Sequence, residues 1–466
     1  MELYPASPIV ITLLLVCMAR GPRWVLMFIA FTLPFGMFAA LSLPSVGGLS
    51  ILAVNLSAAA LLGLAGLILL DKFSQRIPIA ITPAALALII FTLYAVFSAT
   101  VLVRLFSGEI MVFPLARGDT GTRVSVLFSW GKSWLAPSSS NISQTFYIVL
   151  ACGFFVSACH VLKKHGPQLG VKCMVIAAST NLVLGLLDLA SLDQVLSFVR
   201  TANYSLSNEA SVNGIPRIIG GYSEAASFGS ACSIFYAYFG SSFLHSGKWK
   251  DGLLALGNCL FAVLALSSTG IIAISVVTLV LFYRLYKALP QRFSPNQIIG
   301  LAITLSVMSL TIGAAMIFTD ILDIFTRVVE DLILNKSQTS SGLERKAWAL
   351  GGLETFTATW GLGAGTGSIR SNGIVFVLLG SVGLPGTLAF VAFLWFAFSG
   401  YATNEHKATL SNSRMAALAT LTTMMLTATV PDPGVPLILL AAIAVSARAY
   451  TPLTHPQRGV IQTAHI

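Results

Sequence analysis

Gly373-Ile-Val-Phe-Val-Leu-Leu-Gly-Ser-Val-Gly-Leu-Pro-Gly-Thr-Leu-Ala-Phe-Val-Ala-Phe-Leu-Trp-Phe-Ala-Phe398 carries no charged residue from end to end. A run of this length is what a helix rising roughly 1.5 Å per residue needs to cross a hydrocarbon layer of roughly 30 Å. Its apolar residues do not alternate with polar ones as barrel strands do, and lipid offers no water to an open backbone, so the run reads as a spanning helix. The whole chain agrees. Of 466 residues 56% are hydrophobic and 9% charged, with a mean hydropathy of +0.85, which leaves too little polar surface for a soluble globule of that size.

Working outward, further apolar runs fall at 6–20, 25–41, 49–70, 82–103, 144–162, 171–190, 224–244, 252–267, 271–286, 297–318, 415–430 and 435–447. With 373–399 they predict an all-α, polytopic integral membrane protein, a single transmembrane domain over 1–466 with roughly 12 to 13 spanning helices. The leader Met1-Glu-Leu-Tyr-Pro5 has no cationic region, so the first run is expected to be a retained span with its N-terminus outside.

Lys and Arg collect in one set of connections, among them Arg20, Arg23, Lys72, Arg76, Lys163, Lys164, Lys248, Lys250, Arg284, Lys287, Arg414 and Arg448, against Asp71, Asp251 and Glu405. That set is expected to be cytoplasmic. The opposite short connections 42–48, 267–270 and 431–434 hold no Lys or Arg, and the long segments 104–143, 191–223 and 319–372 share their outer side. The formal charge of +10 is therefore a topological signal, and nucleic acid is not an expected partner. Cys17, Cys152, Cys159, Cys173, Cys232 and Cys259 fall in or beside the runs without a CxxC spacing and read as small apolar packers, so no metal site is expected. All six histidines map to the cytoplasmic side or its approach.

In the first outer segment, Met111-Val-Phe113, a Gly118-Asp119 turn and the alternating Arg123–Trp130 stretch predict a hairpin on the membrane, with Trp130 and Trp134 at headgroup level. It reads as a lid, and Arg117, Arg123 and Lys132 would also be drawn to anionic headgroups. The second segment ends Ile215-Pro-Arg217-Ile-Ile-Gly-Gly-Tyr-Ser-Glu224 before a span. Capping explains Ser223 as an N-cap and Glu224 as a first-turn acid, while Arg217 is either a snorkelling or Glu-paired arginine or an anion ligand.

The third segment opens with an amphipathic stretch, 319–334, whose apolar stripe is Ile321, Phe325, Val328 and Leu332 and whose polar side carries Arg327. Ser341-Gly-Leu-Glu344 is a capping box that starts a second helix and sets Arg345 and Lys346 at its positive end. Two cations there ask for an anion, supplied by Glu344, Glu354 or water, or by a bound diphosphate. Gly361-Leu-Gly-Ala-Gly-Thr-Gly-Ser368 fits neither nucleotide fingerprint; it reads as a tight turn with free amides for a secondary anion nest, and Arg370 follows at headgroup depth.

The pattern Arg345…Trp348…Gly361-Leu-Gly363-Ala-Gly365…Arg370-Ser-Asn372…Gly383-Leu-Pro-Gly386, with Arg217…Gly221-Tyr-Ser-Glu224 ahead of an earlier helix, resembles the O-antigen polymerase and O-antigen ligase superfamily over residues 217–386. The resemblance implies a GT-C-like enzyme of the bacterial inner (cytoplasmic) membrane, multi-pass, active on the periplasmic face and using neither metal nor other cofactor. Its reaction would join undecaprenyl-diphosphate-linked oligosaccharide repeat units into O-antigen or exopolysaccharide. The partners implied are that lipid-linked oligosaccharide, membrane lipids, and the chain-length regulator and flippase of the same export pathway.

By carry-over, the family's arginine before Gly-x-Ser-Glu falls on Arg217, and the arginine opening the second loop helix on Arg345. The ligases present a histidine near Ser371-Asn372; serine there favours a polymerase over transfer to lipid A-core. The residue types suit the chemistry. Arg217 and Arg345 would stabilise the leaving diphosphate, with Arg327, Lys346, Arg370 and Asn372 binding it, and Glu224 would take the acceptor's proton. The rival reading is a lipid-linked oligosaccharide flippase or other transporter, which needs ionisable residues at mid-span. The candidates here are Asp188 near a span's end and His160 near the cytoplasmic edge.

Overall fold

Apolar runs of crossing length fold as helices, because in lipid each N–H must find its carbonyl within the segment. The computed structural model describes residues 2–43, 49–75, 81–115, 131–202, 211–212, 215–288, 299–300 and 340–449. Among them Pro83–Leu105, Ser139–His165, Pro167–Leu189, Ser268–Lys287 and Ile374–Phe398 are five helices long and apolar enough to cross a membrane. The chain is a mostly helical membrane protein. The run 297–318 and the stretch 319–334 with Arg327 lie outside the described residues, 299–300 excepted.

Two further helices of similar length, Ala225–Ser246 and Lys407–Thr427, are missing from that set because Ser, Thr and Gly dilute their hydropathy. They pack against each other inside the bundle. Their hydroxyls are satisfied at home: Ser230 Oγ donates to Ala226 O at 2.7 Å, Thr420 Oγ1 to Ala416 O at 2.8 Å and Ser413 Oγ to Thr409 O at 2.9 Å. Such back-bonding lets small polar residues sit in an apolar interior, where they allow close helix contact. Aromatic pairs fill the rest, with Phe155 edge-on to Phe393 at 5.3 Å and Phe91 tilted against Phe390 at 5.4 Å.

One expected span is corrected. In place of a helix over 25–41, the helix Pro22–Thr32 stops where Pro34 lacks an N–H, and the chain continues into a strand. β1 (Glu2–Leu3), β2 (Ala39–Leu43) and β3 (Leu49–Leu52) form an antiparallel sheet with β2 central, registered by Leu3↔Leu41 and Leu41↔Ile51. The next helix therefore begins at Ala53 rather than Leu49. A second pair, β4 (Met111–Val112) with β5 (Ser133–Trp134), makes the hairpin of the first outer segment; its returning strand is Ser133–Trp134, while Arg117, Arg123 and Trp130 lie outside the described residues.

Connections that the charge pattern assigns to one side meet at one end of the bundle. Met37 N donates to Gly221 O at 2.9 Å, Arg370 N to Phe113 O at 2.7 Å, and Asn372 Nδ2 to Leu426 O at 3.1 Å. Those assigned to the other side meet at the opposite end, where Arg448 Nη1 donates to Ser399 O at 2.5 Å and Arg284 Nη1 to Ser411 Oγ at 2.9 Å.

Candidate functional site

The candidate site is built on a turn clasped from below. Asp188, at the end of the Pro167–Leu189 helix, forms an ion pair with Arg200 Nη2 through Oδ1 at 2.6 Å. Its Oδ2 accepts from the amides of Ile219 at 2.7 Å and Gly220 at 2.9 Å. Arg200 closes the clasp from the other side, donating from Nε at 2.9 Å and Nη2 at 2.6 Å to Gly220 O. Both side chains are nearly enclosed, 14% and 11% exposed, so these charge-assisted bonds are little screened. Gly220 has φ +55, which a side chain disfavours, and a Cβ on Gly221 would lie 2.5 Å from Pro34 O. The clasp thus holds the backbone between Arg217 and Glu224 in one conformation.

Glu224 is itself the N-cap residue of the Ala225–Ser246 helix, with extended angles of φ −155° and ψ 156°, which corrects the expectation that Ser223 caps and Glu224 lies in the first turn. Its side chain makes no capping bond; Oε1 accepts a long hydrogen bond from Ser227 Oγ at 3.4 Å. The carboxylate is therefore not consumed by holding the helix.

Arg217 is half-buried, and its Nε donates to Ala265 O at 3.4 Å, just past the Trp249–Leu264 helix. Its terminal nitrogens make no hydrogen bond to the described residues. Burial pushes its pKa below the ordinary arginine value; the Glu224 carboxylate pushes it back up, and the Arg345 guanidinium lowers it further. Arg217, Glu224 and Arg345 therefore share one electrostatic neighbourhood although Arg345 comes from a distant segment.

Arg345 is half-buried on the Ser340–Ala358 helix, with no hydrogen bond or ion pair to the described residues. That helix is under way at Ser340, so Ser341 lies within it instead of ahead of it, and Arg345 falls beyond the first turn. The expected capping box and the helix-end argument for an anion are corrected accordingly; repulsion from Arg217 takes the argument's place. Lys346 is exposed. Glu354 is engaged by Lys132 Nζ at 2.5 Å and is not the partner of Arg345.

The remaining candidates are held elsewhere at this end. The Arg370 guanidinium lies over the Trp348 ring at 5.1 Å, Ser371 Oγ donates to Trp348 O at 3.1 Å, and Asn372 Nδ2 is given to Leu426 O.

The glycine cluster does something the sequence reading did not foresee. Gly383, at φ +61, breaks the Ile374–Phe398 helix, and Pro385 has no N–H for Ser381 O, four residues back. Leu384 N turns to Gly361 O at 2.8 Å, which frees Gly380 O as well. The loop repairs both losses, with Ala364 N donating to Gly380 O at 2.8 Å and Gly365 N to Ser381 O at 3.0 Å. Gly363 N goes to Thr359 Oγ1 and Thr366 N to Ser98 Oγ. Asn141 Nδ2, on the Ser139–His165 helix, fixes the loop's far side by donating to Thr366 O at 2.7 Å. These amides are spent on protein acceptors, so the expected anion nest is corrected.

Beside the clasped turn lies a small apolar cavity of about 20 Å³ lined by Leu33, Met174, Tyr222, Ile234, Phe235 and Leu439. Among the described residues no three His, Cys, Asp or Glu side chains gather as a metal-ligating group. The arrangement offers two guanidiniums for an anion and one uncommitted carboxylate for a proton. The Asp188–Arg200 clasp escaped the sequence reading because its partners, across a short Asp193–Ser197 helix, follow no regular spacing; the one signal was a carboxylate at a span's end. The chain matches no family model, and no curated protein gives a significant match to it.

Proposed function

We propose that this chain is a bacterial inner-membrane glycosyltransferase that polymerises undecaprenyl-diphosphate-linked oligosaccharide repeat units into O-antigen or exopolysaccharide on the periplasmic face, without a metal. What supports the reading is that the half-buried Arg217 guanidinium feels the charges of both Glu224 and Arg345. Half-buried like charges repel, and a multiply charged anion such as a diphosphate offsets that repulsion.

In the reaction an acceptor hydroxyl attacks the anomeric carbon of the donor sugar. The bond from that carbon to the diphosphate oxygen breaks, and the diphosphate leaves with the electron pair. Arg217 and Arg345 stabilise the charge that grows on the leaving oxygens, and the planar fork of each suits two phosphate oxygens at once. Glu224, free of capping duty, takes the hydroxyl proton. Ser371, where ligases would present a histidine, is buried and donates to Trp348 O, which favours the polymerase over the ligase reading.

The test is complementation of a deletion strain with Arg217→Lys and Arg345→Lys. Loss of long chains, with single repeat units still exported and protein present in the membrane, is the expected result. Wild-type chain lengths in either variant would remove that residue from the mechanism, and absence of all export from the deletion strain would favour a flippase.

A further inference from the structure

At the end of the bundle opposite the clasped turn, three half-buried arginines stand together. Arg414 Nε donates to Phe398 O at 2.7 Å and its Nη2 to Gly400 O; Arg448 donates to Phe396 O at 2.6 Å, Ala397 O at 2.9 Å and Ser399 O at 2.5 Å. Both cap the last carbonyls of the Ile374–Phe398 helix, and that explains their geometry. Carbonyls carry no formal charge, however, and Arg414 is a close like-charged neighbour of both Arg284 and Arg448. Arg284 has no share in the capping: its Nη1 donates to Ser411 Oγ at 2.9 Å and Ser241 Oγ at 3.3 Å. Its Nε and Nη2, and Nη1 of Arg414, make no hydrogen bond to the described residues.

The described residues offer little to neutralise this cluster. None of the three arginines is in an ion pair among the described residues. The described connections at this end, 20–23, 71–75, 163–167, 246–251 and 399–407, contain Asp71, Asp251 and Glu405 as their only acids. Asp251 accepts from Ser242 and Ser246 at 2.7 and 3.0 Å, Asp71 accepts from Gln75 at 3.0 Å, and Glu405 is exposed. Half-buried charge without a counter-charge is costly, so an anion from outside is called for. The position says which kind. Tyr283, Tyr286 and Trp395 are 56%, 70% and 68% exposed on the same helix ends and Tyr401 is 96% exposed in the connection beyond, and outward Tyr and Trp mark the level where hydrocarbon meets headgroups.

We infer that Arg284, Arg414 and Ser411 form a binding site for the phosphodiester of an anionic phospholipid, separate from the proposed diphosphate site. The guanidinium nitrogens not used in capping and the Ser411 hydroxyl supply its donors, and the lipid chains lie along the apolar flank of the Ser268–Ala288 helix.

The experiment is a thermal-unfolding titration of the full-length protein in neutral detergent with phosphatidylglycerol, phosphatidylcholine or inorganic phosphate. Phosphatidylglycerol is expected to raise Tm saturably and the other two not to. Arg284→Gln is expected to weaken the apparent affinity for phosphatidylglycerol roughly fivefold, the effect of one cation near an anionic headgroup. Arg217→Lys should leave the response intact. An unchanged response in Arg284→Gln, an equal response to phosphatidylcholine, or loss in Arg217→Lys instead overturns the inference. Equal stabilisation by inorganic phosphate overturns its lipid part in favour of a soluble phosphate ester. Should Arg284→Gln fail to fold, Ser411→Ala is titrated in its place: a weakened response supports the site, and an undiminished one overturns it.

Discussion

Asp188→Asn keeps the side chain's shape and removes the charge on which three donors converge: Arg200 Nη2 at 2.6 Å, Ile219 N at 2.7 Å and Gly220 N at 2.9 Å. An asparagine has one acceptor oxygen, so turning it toward the two amides sets its NH2 against the Arg200 guanidinium, and turning it toward Arg200 sets the NH2 against the amides. A hydrogen bond to a charged group contributes about 1.5–3 kcal/mol, and breaking one side of an enclosed ion pair costs about 3–5 kcal/mol. With both side chains nearly enclosed, about 3 kcal/mol is expected to be lost from the closed turn. At about 1.4 kcal/mol per decade, the amides of Ile219 and Gly220 should exchange roughly a hundredfold faster. Hydrogen–deuterium exchange with mass spectrometry reads this on a peptide covering 215–224, with the Ala225–Ser246 helix as internal reference. Polymer length should fall along with the lost protection, because Arg217 and Glu224 sit on either side of the clasped residues. Unchanged exchange in 215–224 would refute the reasoning, since it would mean that the carboxylate's charge does not hold the turn.

Glu224→Gln should abolish polymer while moving stability by about 0.5 kcal/mol or less, because the side chain caps nothing; a large Tm loss would return Glu224 to a structural role. Polymerisation in membrane vesicles should survive EDTA, and rescue of a lost activity by a divalent ion would demand a metal. Gly363→Val should cost about 2 kcal/mol or more and deplete the protein from membranes, because φ is +85° and a Cβ would lie 2.6 Å from Gly383 N. Burial raises the pKa of Asp432 above the ordinary carboxylate value, only partly opposed by the Gly434 amide. The folded state thus prefers the protonated acid, so stability is fully present below the ordinary pKa of about 4 and is lost as pH rises through the folded value. Asp432→Asn keeps an acceptor for Gly434 N, now at 3.0 Å, and should flatten this pH dependence of Tm; parallel curves for the two proteins would count against it.

The membrane and its helices were legible because the evidence for them is compositional: runs such as 144–162 and 373–399 need only counting. The second run misled because hydropathy does not distinguish a helix from a buried apolar strand, and Pro34 carried the deciding information. Arg217, Glu224 and Arg345 could be singled out because cations at a lipid edge need a reason. Their shared electrostatic neighbourhood could not, since it depends on how distant segments pack. The same limit hid the Asp188–Arg200 clasp. For the glycines, sequence shows which positions tolerate unusual backbone angles but not which carbonyls their amides will meet; Gly383 and Pro385, read together as a broken helix, were the available hint.

That repair has a consequence for biogenesis. Until residues 361–367 dock, Ile374–Phe398 enters the bilayer with two bare carbonyls, each unsatisfied group costing several kcal/mol in lipid. The span is therefore a late passenger of its own insertion, settled only when the preceding loop and the helices that carry Ser98 and Asn141 have arrived to receive it. A damaged loop should surface first as poor delivery to the membrane and proteolytic clearance.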